Sequence, residues 1–206
     1  MTNTDEIITF GKFKLIIFDL DGTIVKLKAE WHELKSYLSD LFNTKYKMAC
    51  TFKSISECLS KLAEMGNEKE LQNFFSIIEE YEYKNIEDTD LIEETIFFIK
   101  HKELFGVNKD AKIAILSLNT RKTIHRSLEI AGLTKYIEYI VGREDVRHWK
   151  PNPEGLLKIM AYFNVNSSNV VYIGDLEKDK LTAINANVKF YNVKEIIKLV
   201  RNSRKI

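Results

Sequence analysis

The sequence predicts an α/β fold: a parallel sheet covered by helices on both faces, with a helical segment inserted after the first strand. Three observations carry this expectation. Short apolar runs rich in β-branched residues alternate with segments of helical period, the pattern of a parallel sheet whose strands need no polar face. A stretch far longer than one crossover helix separates the first run from the second. Acidic and polar residues stand directly after the apolar runs, where ligands bind in open parallel sheets.

The first strand is expected at residues 13–18 (FKLIIF), stopped abruptly by Asp19-Leu20-Asp21-Gly22-Thr23. Residues 26–105 read as a helical insertion. Trp31, Leu34, Leu38 and Leu41 repeat at helical spacing, as do Ile55, Leu59 and Leu62, then Phe74, Ile77, Ile78 and Tyr81, then Ile92, Ile96 and Ile99. Such stripes are the buried faces of a small bundle. Further strands are expected at 112–116 (KIAIL), 139–141 (YIV), 170–173 (VVYI) and 188–191 (VKFY). A helix over 121–131 closes at Gly132, a suitable residue for the position after a helix end. Another over 154–163 is entered through Pro153, which suits a first turn. The expected division is a core of residues 1–25 and 106–206 and a helical cap of 26–105.

Composition narrows the function. The chain has 206 residues, 45% of them hydrophobic, with 31 basic against 30 acidic side chains. Length and apolar content allow a sizeable core without a metal or disulfide staple. A net charge of +1 argues against a basic nucleic-acid surface. The first ten residues lack the pattern of a signal peptide, and no apolar run approaches the roughly 18 residues of a membrane span. Cys50 and Cys58 match no metal-type spacing and read as two buried, reduced thiols. The expectation is a cytoplasmic protein with no membrane or nucleic-acid partner; oligomeric state cannot be read.

The strand ends carry the chemistry. Asp19 and Asp21 follow the first strand, Ser117 and Asn119 the second, Lys150 the third and Asp175 the fourth. Asp19 and Asp21 are two apart, so an extended chain aims both carboxylates to one side. They would repel unless a cation joins them or one holds a proton. Both remedies fit one chemistry, with Asp19 ionised beside a metal and Asp21 protonated. Asp175 could add a third oxygen ligand, in the sparse protein ligation that Mg²⁺ takes when it also meets a substrate phosphate. Lys150 supplies a point charge and Ser117 a donor for phosphoryl oxygens. Asp179 lies one helical turn past Asp175, placed to orient Lys150 or a metal-bound water. Each residue alone has an ordinary reading as turn, cap or surface group; their order and spacing together do not.

In these residues the chain resembles the haloacid dehalogenase superfamily. Asp19-Leu20-Asp21-Gly22-Thr23 matches the first family motif (DxDGT), and Ser117 after an apolar strand is similar to the second. Lys150-Pro151-Asn152-Pro153 resembles the third, and Gly174-Asp175 with Asp179 the fourth. The resemblance implies a Rossmannoid three-layer core and a C1-type cap, as in phosphoglycolate phosphatase-like and β-phosphoglucomutase-like members. It implies that Asp19 is the nucleophile, that Asp21 is the acid and base, and that Lys150, Ser117 and Asn119 bind the phosphoryl group. It further implies Mg²⁺ held by Asp19, the Asp21 carbonyl and Asp175. Three departures stand out: Leu118 separates Ser117 from Asn119, Leu176 follows Asp175 where a small hydroxyl residue is common, and Asn187 occupies a position often held by glycine. The reaction expected is hydrolysis of a small phosphorylated metabolite. A sugar-phosphate mutase and a silent binding module are the alternatives, the latter disfavoured because Asp19, Asp21, Lys150 and Asp175 are all present.

Overall fold

The computed structural model describes residues 9–47 and 50–204. Residues 1–8, which hold most of the segment inspected for a signal peptide, lie outside the described residues.

Five parallel strands form the central sheet: β1 (Leu15–Phe18), β4 (Lys112–Leu116), β5 (Tyr139–Val141), β6 (Val170–Gly174) and β7 (Lys189–Asn192). Their spatial order is β5-β4-β1-β6-β7, so strand addition reverses direction at β1 and opens a crevice beyond its carboxyl end. The period-2 pleat sorts the side chains into two layers. Ile16, Phe18, Ile113, Ile115, Val171 and Ile173 pack on one face, while Leu15, Ile17, Ala114, Leu116, Val170 and Tyr172 pack on the other. The first face is covered by α4 (Glu93–Lys100), α5 (Arg121–Ile130) and α8 (Val193–Ser203) through Ile96, Ile124 and Ile196. The second is covered by α6 (Glu154–Phe163) and α7 (Glu177–Asn185) through Leu156, Ile159 and Ala183. This is the three-layer Rossmannoid architecture the sequence predicts.

Local signals act where expected. α5 ends at Ile130, and Gly132 takes φ +62° so that the Leu133 N–H can donate back to the Leu128 carbonyl. Asn187 takes φ +54°, the left-handed conformation for which its short amide side chain substitutes for glycine. Pro153 stands at the N-cap of α6.

The insertion leaves and rejoins the core as a two-stranded antiparallel ribbon. In it β2 (Val25–Lys26) pairs with β3 (Asp90–Leu91), with Val25 opposite Leu91 and Lys26 opposite Asp90. Between them lie α1 (Trp31–Tyr46), α2 (Ile55–Glu64) and α3 (Glu68–Tyr83). Leu34, Leu38, Phe42, Leu59, Leu62, Phe74 and Ile78 form a separate apolar cluster, with Phe52 and Phe74 stacked inside it. Residues beyond Tyr83 depart from the expectation. The stripe Ile92, Ile96 and Ile99 was expected in the bundle, yet Ile86, Ile96, Phe98 and Ile99 pack with the sheet, and α4 lies against α8. A short apolar stripe reports that a face is buried, not which partner buries it.

The cysteines require a correction. The Cα atoms of Cys50 and Cys58 lie 6.1 Å apart, and the two are joined as a disulfide rather than standing as separate thiols. Both are buried, as expected.

α6 crosses β4 so closely that a methyl group at Gly155 would collide with Leu116 Cδ1. Gly155→Ala should therefore lower stability by about 1–3 kcal/mol, measured as a reduced urea midpoint, and Leu116→Val in the same chain should restore part of the loss. An unchanged midpoint in the single variant would refute the close packing.

Candidate active site

The carboxyl ends of β1, β4 and β6, with the loop after β5, meet at one edge of the sheet. At its centre the Lys150 ammonium donates to Asp19 Oδ1 at 2.7 Å and to Asp179 Oδ1 at 2.8 Å. All three side chains are buried. Asp179 is fixed further by the Tyr172 hydroxyl, 3.0 Å from the same oxygen, and by the Leu176 N–H, 3.0 Å from Oδ2. The last bond is the reach of an N3 carboxylate back to the start of its helix, α7. Gly174 makes this geometry possible, because a Cβ there would crowd the Asp179 carboxylate.

Lys150 lies well past the end of β5, so its loop must be held. The Trp149 indole donates to the Arg143 carbonyl at 2.9 Å, and Trp149 packs edge-on against Phe75 of α3. The Arg143 N–H donates to the Asn119 carbonyl at 3.0 Å. The Arg147 and His148 N–H groups both donate to the Glu154 carboxylate. Trp149 is thus a packing residue, and His148 is an exposed partner of Glu154.

Ser117 and Asn119 come together: the Ser117 hydroxyl donates to Asn119 Oδ1 at 2.8 Å, and the Asn119 N–H donates to Ser117 Oγ at 3.2 Å. Asp19, Asp21, Ser117, Asn119 and Lys150 all line one cavity of 520 Å³. Asp175 faces the same edge, and Gly22 (φ +86°) leaves it room, since a Cβ there would collide with its carboxylate. Asp21 turns differently. Its Oδ1 accepts the Leu27 N–H at 2.9 Å, tying it to the strand that enters the insertion.

The charge balance is unequal. Burial pushes the Asp19 carboxyl up to about 7, with Lys150 pulling the other way. Burial also pushes Asp21 up to about 6, against the Leu27 N–H. Asp175 is raised by burial and by the nearby Asp179. Asp179, despite its burial, is held below its ordinary value by Lys150. Lys150 is also buried, but the two facing carboxylates keep its pKa raised. One ammonium therefore serves Asp19 and Asp179, and Asp175 is left over. Oxygens of Asp19, Asp175 and Asp179 lie within 4.8 Å of one another. Asp175 Oδ1 is buried without a hydrogen-bond partner. An all-oxygen set with an orphaned buried carboxylate oxygen fits a hard divalent cation such as Mg²⁺. Asp179 already accepts from Lys150, Tyr172 and Leu176, which leaves Asp19 and Asp175 as the carboxylates free to ligate.

Several lining residues went unread in the sequence. Arg143, two residues past β5, is buried, and its Nη2 donates to Glu82 Oε1 at 3.1 Å. Glu82, at the end of α3, also accepts the Thr120 N–H at 3.0 Å. The signals were available: Arg143 obeys the strand-end rule, and Glu82 lies four and eight residues after the buried Ile78 and Phe74, on one helical face. Lys35, Lys53 and Lys178 also line the cavity, as does Trp31, a stripe residue of α1. His32, Lys45, Tyr46 and Lys47 of the insertion lie away from this cavity's lining, and Lys45 pairs with Glu70.

The model of the haloacid dehalogenase-like hydrolase family matches residues 16–193. The chain belongs to that family. It is 23% identical over 183 residues to pyrophosphatase PpaX of Bacillus cereus (strain Q1), covering 86% of this chain and 82% of the relative. Among solved structures, it is 25% identical to a protein from Bacteroides fragilis assigned as a haloacid dehalogenase-like hydrolase, with a TM-score of 0.59 and 86% of each chain covered. A protein from Lactobacillus plantarum assigned as a phosphoglycolate phosphatase shares the fold at a TM-score of 0.63, with 18% identity and coverage of 92% and 89%.

If Asp175 helps hold a divalent cation, Mg²⁺ at about one hundred times its dissociation constant should stabilise the protein by about 2.7 kcal/mol. Thermal unfolding should show the shift in wild type and lose most of it in Asp175→Asn. Equal shifts in the two proteins would remove Asp175 from the ligand set.

Proposed function

We propose that this chain is a Mg²⁺-dependent phosphohydrolase acting on a small phosphorylated metabolite through a phosphorylated Asp19. The observation that carries the reading is Lys150 bonded to both Asp19 and Asp179 beside Asp175, with Ser117 and Asn119 on the same cavity wall. The pyrophosphatase and phosphoglycolate phosphatase names among the similar proteins support phosphoryl chemistry.

In this reading Asp19, the Asp21 carbonyl and Asp175 would hold Mg²⁺, which would neutralise charge on the phosphoryl oxygens. An Asp19 oxygen attacks phosphorus, forming an acyl phosphate while the bond to the leaving oxygen breaks. Asp21, whose carboxyl burial keeps protonated to about pH 6, gives its proton to that oxygen. It then takes a proton from the water that attacks phosphorus, and the Asp19 carboxylate is released. Lys150, Ser117 and Asn119 bind the phosphoryl oxygens, and Asp179 positions Lys150. Little more is required, because phosphoryl transfer depends on positioning and electrostatics.

The helical insertion acts as a cap over this site. Its boundaries follow the packing: α1 to α3 form the mobile unit, and the β2–β3 ribbon is its hinge. The Asp21–Leu27 bond makes the acid–base residue sensitive to the hinge position, so closure would set its orientation as well as exclude water.

Phosphate release from an aryl phosphate and a metabolite panel tests the proposal. Wild type should require Mg²⁺, Asp19→Asn should be inactive, and Asp21→Asn should lose about 10²–10⁴-fold in kcat. Full activity in Asp19→Asn would sink the nucleophile assignment. Conversion of sugar-phosphate isomers without phosphate release would favour a mutase.

A further inference from the structure

The cavity is more cationic than one phosphoryl group requires. Among the described residues its only carboxylates are Asp19 and Asp21, both at the sheet edge, whereas Lys35, Lys53, Arg143, Lys150 and Lys178 also line it. Lys150 is committed to Asp19 and Asp179. Lys178 lies on α7, three residues past Asp175, at the same end. The remaining cations, Lys35, Lys53 and Arg143, have no part in the chemistry described above.

Arg143 is the most telling. Its guanidinium is buried, and Nη2 is held by Glu82, but Nη1 is buried with no hydrogen-bond partner. Glu82 cannot answer it, because its second oxygen accepts from Thr120. Guanidinium presents a fork of donors suited to carboxylate and phosphate oxygens. An orphaned N–H on such a group in a cavity wall calls for an acceptor. From the insertion come Lys35 on α1 and Lys53 just ahead of α2, and neither makes a hydrogen bond or ion pair among the described residues. Elsewhere the chain pairs lysines freely, as at Lys45–Glu70, Lys112–Glu138 and Lys122–Glu79. Ser54 and Ser56 line the same wall at the start of α2, whose N-cap side chain makes no capping bond.

We infer that Lys35, Lys53 and Arg143 form a second anion subsite, and that the substrate carries a second anionic group besides the phosphoryl group that meets Asp19. The inference rests on the phosphohydrolase reading and deepens it: the substrate class becomes phosphoesters or phosphoanhydrides bearing a further phosphate or carboxylate. Arg143 comes from the sheet edge and the lysines from the insertion, so an anion between them would also draw the cap onto the core. A monophosphate of a neutral alcohol would leave Lys35, Lys53 and the Arg143 Nη1 unanswered.

Calorimetry on the full Mg²⁺-loaded protein tests this without turnover. The probes are methylphosphonate, which has one anionic group, and three that have two: ethylene-bisphosphonate, propylene-bisphosphonate and phosphonoacetate. At least one two-anion probe should bind about tenfold or more tightly than methylphosphonate. That advantage should vanish in Lys35→Ala/Lys53→Ala and shrink in Arg143→Lys, which keeps a cation against Glu82. Preference for a bisphosphonate or for phosphonoacetate identifies the second group as phosphate or carboxylate. Affinities all within about threefold of methylphosphonate, or an advantage that survives in the double variant, would overturn the subsite. The parent reading fails separately. A two-anion advantage with no ester hydrolysed would keep the subsite and remove the hydrolase, and hydrolysis without the advantage would do the reverse.

Discussion

The Lys150 ammonium sits between Asp19, just past β1, and Asp179 on α7, buried from solvent, and the surrounding structure is arranged to keep it there. A buried charge that loses its partner costs about 3–5 kcal/mol, so the elements that carry these three groups are tied to one another. The loop after β5 must reach across the sheet to deliver the lysine, which explains its internal bonds through Trp149, Arg143 and Glu154. α7 must begin where Asp179 can reach both Lys150 and the Leu176 N–H. Tyr172, on the strand between them, spends its hydroxyl on the same carboxylate.

That arrangement leaves a deficit of positive charge. Lys150 answers two carboxylates, and Asp175 Oδ1 is buried without a partner. Burial raises Asp19 and Asp175 together, because it disfavours the charged form of each carboxylate. Across the cavity the imbalance reverses, with Lys35, Lys53 and half of Arg143 unanswered. In the proposed function the two ends would be complementary halves of one binding problem: a cation at the sheet edge, and an anionic ligand reaching from it toward the insertion. The Glu82–Arg143 pair links α3 to the loop after β5, so the insertion is coupled to the sheet edge by more than its ribbon.

Most of the sheet was readable in the sequence because strands buried on both faces announce themselves as short apolar runs. The expected bounds of β4 and β5 match those observed, and β1, β6 and β7 differ by a residue or two. Asp19, Ser117, Asn119 and Asp175 could be picked out because strand ends converge on one edge whatever the rest of the chain does, and Asp179 from its place one helical turn past Asp175, whereas Lys150, expected directly after its strand, lies nine residues past β5. What escaped depended on which surfaces meet. The Ile92, Ile96 and Ile99 stripe gave the correct face of α4 but not its partner, α8. Glu82 sits in an acidic run that looks solvated, and only the docking of α3 against Thr120 and Arg143 buries it. Cys50 and Cys58 are eight apart, a spacing that implies nothing until the fold brings them together.

The central claim is that Asp19 carries the phosphoryl group between substrate and water. The most direct measurement is to quench the Mg²⁺-loaded protein with acid during turnover, reduce it with borohydride and sequence the product by mass spectrometry. An acyl phosphate is reduced to an alcohol, so the account predicts homoserine at position 19 and at no other aspartate. Reduction at a different residue, or turnover with position 19 unmodified under conditions that trap acyl phosphates, would contradict it.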